Sequence, residues 1–110
     1  MNTQDKNTLY RLLSNKELIA FEYEAIIIDG TGQALTVPEG AVYAELRLES
    51  DVTSGVATRY LMTGDSPSAS NGMALNNLDF FDISGGTNLV NFQIIESTSG
   101  THTLHVQYYK

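Results

Sequence analysis

His102 and His105 are the only imidazoles in the chain, and their spacing decides what they can do together. Residues three apart on a strand point to opposite faces, so the pair is not expected to share a metal ion, and both read as solvated surface side chains. No cysteine is present, which removes thiolate zinc sites and disulfide frameworks. Serines and threonines are abundant, yet no Gly-x-Ser-x-Gly elbow occurs and neither histidine has an acid partner in a matching context, so nucleophilic catalysis has no anchor. Glu45 with Glu49, and Glu22 with Glu24, share strand faces as glycosidase carboxylates can. They alternate with apolar residues, as a one-sided sheet requires, and are expected to form its solvated outer face. Asp29-Gly30-Thr31-Gly32, Asp79 and Asp82 offer oxygen ligands without the dense Asp/Asn ladder of a calcium loop. The glycine-rich segments carry no phosphate cradle or dinucleotide fingerprint, because no helix is expected after them. The expectation is a protein that is not an enzyme, with no catalytic residue, metal or cofactor.

Aromatic residues remain as candidates for contact. In the adjacent pairs Phe80-Phe81 and Tyr108-Tyr109 one member of each faces outward on a regular strand. We assign Phe81 and Tyr109 to that outward, interface-forming side; such rings anchor protein interfaces or stack on sugars.

The elements that must position these residues follow from composition and pattern. The 110 residues suit one domain, and 42% apolar content with six Tyr, four Phe and nine Gly favours strands and tight turns over disorder. The longest apolar run, Ala25 to Ile28, is far below the roughly 18 residues of a membrane span, and the polar start is not a signal peptide. The chain is therefore expected to be soluble and unprocessed, with no membrane partner. A net charge of −7 opposes nucleic-acid binding. Residues 1–17 hold Lys6, Arg11 and Lys16 against two acids, net +1, and the remainder holds three bases against eleven acids, net −8. A mildly basic arm thus precedes an acidic body.

Within that arm Leu9, Leu12, Leu13 and Lys16 fall at helical spacing, with Tyr10 one turn before Leu13, predicting a short amphipathic helix too short to stand alone in water. Leu9, Tyr10, Leu12 and Leu13 are accordingly interface candidates. Ser14-Asn15-Lys16-Glu17 matches a capping box that would carry a helix into Leu18 and Ile19. From Phe21 the period becomes two, with Phe21, Tyr23, Ala25 and Ile27 on one side. Further strands are predicted over 33–37, 42–48, 56–62, 78–83, 89–95 and 102–109, separated by turns at Asp29–Gly32, Pro38–Gly40, Asp51–Gly55, Ser84–Asn88 and Ser97–Thr101. Thr63 to Gly72, with Pro67, is the principal loop. In the last strand Leu104, Val106 and Tyr108 face inward. About seven strands with regularly spaced turns argue for an all-β, antiparallel, jelly-roll-like β-sandwich over 18–110, behind a short N-terminal helix or arm over 1–17.

Residues 34–110 resemble, in the order of their segments, small virion proteins of tailed bacteriophages. Val37-Pro38-Glu39-Gly40-Ala41 leads into a strand, Thr58-Arg59-Tyr60 follows, and then comes the loop Thr63-Gly64-Asp65-Ser66-Pro67-Ser68-Ala69-Ser70-Asn71-Gly72-Met73. Asn91-Phe92-Gln93-Ile94-Ile95 and a terminal Val106-Gln107-Tyr108-Tyr109 complete the set. Gly64-Asp65 stands where the family commonly has Asp-Gly. The resemblance implies location in the virion and a structural role, decorating or joining capsid, neck or tail through contacts between copies and with larger virion proteins. It carries over no catalytic residue. A homo-oligomer is expected. The outward aromatics and the 63–72 loop are also compatible with a second class, a carbohydrate- or receptor-binding module at a fibre tip.

Overall fold

The strands are most regular where alternation is cleanest. In the computed structural model, which describes residues 17–110, β3 (Tyr43–Ser50) buries Ala44, Leu46 and Leu48, and β8 (His102–Tyr109) buries Leu104, Val106 and Tyr108. The two pair antiparallel with Leu46 opposite Val106. β1 (Ala20–Ile28) joins the other edge of β8, and β6 (Phe80–Ser84) the other edge of β3, so the front sheet has the order β1-β8-β3-β6. Behind it lie β2 (Gln33–Ala34), β7 (Gln93–Glu96), β4 (Thr58–Leu61) and β5 (Met73–Leu75), hydrogen-bonded in that spatial order. All pairings are antiparallel. Inward residues of both sheets form one core, in which Leu46, Leu48 and Leu104 meet Leu75 and Ile94. The chain is an all-β sandwich. Each fully buried side chain of this kind contributes roughly 1.5–3 kcal/mol.

The turns use the chemistry their residues provide. Ala41 N–H donates to the Pro38 carbonyl at 3.2 Å across Gly40, whose φ of 88° suits glycine. Thr31 N–H donates to Asp29 Oδ1 at 2.9 Å, closing the Asp29 turn without a left-handed glycine. At the sheet end Ile19 and Lys110 exchange two backbone bonds of 2.9 and 3.0 Å, continuing the β1–β8 ladder beyond Ala20.

Several expectations are corrected. There are eight strands among the described residues, because Met73–Leu75 pairs with β4 directly after the long loop. The segment expected as a strand over 89–95 begins as a six-residue helix, α1 (Gly86–Asn91). Gly85, at φ 95°, ends β6; Asn88 Nδ2 then donates to the Ser84 carbonyl at 3.0 Å, and the helical turn delivers Leu89 into the core. A helix therefore does follow the Gly85-Gly86 pair. In β1 the phase is inverted. A bulge between Ala20 and Glu22 shifts register, so Glu24, Ile26 and Ile28 turn inward and Tyr23, Ala25 and Ile27 outward. Phe81 packs inward against Tyr60 and Phe92, with ring centroids at 4.8 and 6.0 Å, and Phe80 is the outward member of its pair. His102 is fully buried, not solvated. Leu9, Tyr10, Leu12 and Leu13, with nearly all of the arm, lie outside the described residues.

Candidate interaction face on the front sheet

The strand register lays the outward side chains of the front sheet in rows. One row runs Ala25, His105, Arg47, Phe80; the next runs Tyr23, Gln107, Glu45, Asp82; a third holds Ile27, Thr103 and Glu49. Tyr23 is 59% exposed, Ile27 64% and Phe80 55%, so apolar surface stands at both edges of a polar centre. Between them is a shallow depression of about 240 Å³ lined by Tyr23, Glu45, Arg47, Phe80, His105 and Gln107.

Hydrogen bonds hold this face rigid across three strands. Tyr23 Oη lies 2.5 Å from His105 Nδ1, with the two rings stacked at 6.0 Å, and His105 Nε2 meets the Glu49 carboxylate. A carboxylate only accepts, so Glu49 accepts the Nε2–H hydrogen bond, and in the neutral ring His105 Nδ1 accepts from the Tyr23 hydroxyl. Hydroxyl, imidazole and carboxylate thus stand in relay order, on an open surface where they tie β1 to β8 and β3. Arg47 sits over the Phe80 ring at 5.6 Å, a cation–π contact worth about 0.5–1 kcal/mol at an exposed site. Tyr43 donates to Asp82 Oδ2 at 2.6 Å and meets Tyr109 edge-on at 5.4 Å, which places Tyr109 on this face, half-buried.

Three further polar clusters serve the fold. Ser50 Oγ accepts Val52 N–H and donates to His102 Nδ1 at 2.8 Å, leaving the His102 Nε2–H to be shared between Glu96 Oε1 at 3.1 Å and the Thr98 carbonyl at 3.0 Å. His102 thereby locks the loop joining β7 to β8 against the end of β3. Arg59 organises the long loop: Nη1 donates to the Gly72 carbonyl at 2.9 Å and Nε to the Ala69 carbonyl at 3.3 Å. That loop belongs to the back sheet, so it is not brought together with Tyr23 or Phe80. At the sandwich edge Tyr108 donates to Glu24, which also accepts Thr36 N–H at 3.0 Å. Burial and then the Glu24 contact raise the Tyr108 phenol above its ordinary pKa, and burial raises that of Tyr60.

The sequence reading missed Tyr23, Arg47 and Glu49 as members of one surface. Strand parity signals Arg47 and Glu49, both on β3; Tyr23 carried the wrong phase because the bulge is invisible in the pattern. Among the described residues no group of three or more His, Cys, Asp or Glu is placed to hold a metal ion, and no helix is long and apolar enough to cross a membrane. No protein-family model matches the chain, and no curated protein or solved structure matches it significantly.

Proposed function

We propose that this chain is a non-enzymatic structural component of a tailed-phage virion, binding neighbouring copies and larger capsid, neck or tail proteins through the front face of its sandwich. The observation that carries this reading is the exposure of Tyr23, Ile27 and Phe80 at the two edges of one sheet face; exposed rings on such a face can anchor a protein partner. The segment order resembling small virion proteins supports the setting. The strand orders β1-β8-β3-β6 and β2-β7-β4-β5 support a jelly roll, an arrangement used in capsid domains. A mass-spectrometric inventory of purified particles should find the chain at fixed stoichiometry, and light scattering should find it oligomeric. A monomer at high concentration that is absent from particles overturns the proposal.

A second reading is favoured by the depression itself, where Tyr23 and Phe80 flank Gln107, Glu45 and Arg47 as ring platforms flank hydrogen-bonding groups in a sugar site. On that reading a glycan array gives binding that is lost in Tyr23→Ala and Phe80→Ala.

A further inference from the structure

We infer that the occupant of the front face is the N-terminal segment of a second copy of this chain, with residues 9–13 laid across the rows between Ile27 and Phe80. This rests on the reading of the protein as an assembling subunit and adds which surfaces meet.

Charge is the first argument. Residues 1–16 hold three bases, Lys6, Arg11 and Lys16, against Asp5, net +2; residues 17–110 hold three bases against twelve acids, net −9. On the front face the acids Glu45, Glu49 and Asp82 outnumber Arg47. A basic segment and an acidic face attract, and such complementarity sets specificity and on-rate. Apolar content is the second argument. Leu9, Leu12 and Leu13 recur at helical spacing, and Tyr23, Ile27 and Phe80 are the exposed side chains that a stripe of that kind would cover.

Reach is the third argument. Both backbone groups of Ile19 are bonded to Lys110, one pair beyond the β1–β8 ladder, so the described chain begins at the end of the front sheet. From there, sixteen residues span up to about 55 Å when extended or about 24 Å as helix, against a longest molecular dimension of 44 Å. A neighbour's face is within range.

The absence of cysteine makes the test direct. Full-length Leu12→Cys is mixed with Phe80→Cys, and separately with Ile27→Cys, under mild oxidation; Val90→Cys, exposed on α1 and not on a strand of the front sheet, is the control. Peptide mass spectrometry should find the 12–80 or 12–27 disulfide between copies at least tenfold above 12–90, and Leu12→Glu with Leu13→Glu should weaken self-association at least tenfold by sedimentation. Equal cross-linking at all three positions, or none at 80 and 27, overturns the inference. So does a Leu12→Cys/Phe80→Cys chain that links only within itself. Particles containing the protein without these cross-links would leave the virion reading standing and remove this one; cross-links with no presence in particles would do the reverse.

Discussion

Phe80 and Phe81 are adjacent, chemically identical and opposite in consequence, which makes their truncation a sharp test of the sandwich. Phe81 stacks on Tyr60 at 4.8 Å and lies 6.0 Å from Phe92, which is itself fully buried. A fully buried Phe→Ala change costs about 3–5 kcal/mol, and each ring pair adds about 0.5–1.5 kcal/mol beyond area. Phe81 is only partly buried, so Phe81→Ala should cost about 2–3 kcal/mol. Phe80 is 55% exposed and its main partner is Arg47, so Phe80→Ala should cost no more than about 1 kcal/mol. Urea unfolding at high dilution reads the difference: a gap of about 2 kcal/mol lowers the midpoint by about 1 M at an m-value near 2 kcal/mol/M. In melting temperature the gap is roughly 8–16 °C. Equal losses, or a larger loss for Phe80→Ala at unchanged m, would show that β6 presents the other face to the core.

Gly100→Ala should lower the melting temperature by several degrees, because a Cβ there would sit 2.5 Å from Asp51 Oδ1 and 2.9 Å from Val52 Cγ2; an unchanged melt refutes the packing of that turn. Arg59→Met keeps the side-chain stem but takes the donor from the Gly72 carbonyl, while the Ala69 carbonyl keeps the Ser97 hydroxyl, so it should cost about 1 kcal/mol and speed proteolysis and amide exchange within 63–72 selectively. Tyr108 has its pKa raised on folding, so the unfolded chain ionises first near pH 10. Stability is then complete below pH 10 and falls above it, and Tyr108→Phe should flatten that fall in pH-resolved melting; an identical alkaline slope in the variant sinks the assignment. A chain starting at Glu17 retains every strand and should melt within a few degrees of the full-length protein while losing self-association, whereas outright unfolding would show that the arm packs on its own sandwich.

What the sequence made legible was set by how much each strand depends on alternation alone. β3 and β8 are central, one-sided and regular, so parity placed Leu104, Val106 and Tyr108 inward as observed, although Tyr43, on the outward side of β3, is buried as well. The same parity places His102 with Leu104, Val106 and Tyr108 on the inward face; the general habit of histidine to be solvated hid a signal already present in the pattern. β1 failed for a different reason. Ala25 to Ile28 is apolar at every position, so either phase satisfies it, and the bulge that chooses between them has no residue signature. α1 lacks a side-chain cap bond and acidic residues in its first turn, and Leu89-Val90 reads as strand; only the need to place Leu89 and Phe92 in the core makes it helical. β5 is three residues long, below what a periodicity can report. The front face was obscured by the same bulge, since it needs Tyr23 outward.

The pairing of β1 with β8 also sets when the protein can fold. Tyr23 and His105, joined by a hydrogen bond, are 82 residues apart, and β8 lies between β1 and β3 at the heart of the front sheet. On the ribosome β1 has no partner, and β3 has only β6, until residues 102–109 emerge, so Ile26 and Ile28 wait unpaired until then. Folding of the front sheet is therefore expected to wait for β8 and to be slow for a domain of this size. A product truncated before His102 would lack the strand that unites the sheet, and it would enter aggregation or proteolysis in place of assembly.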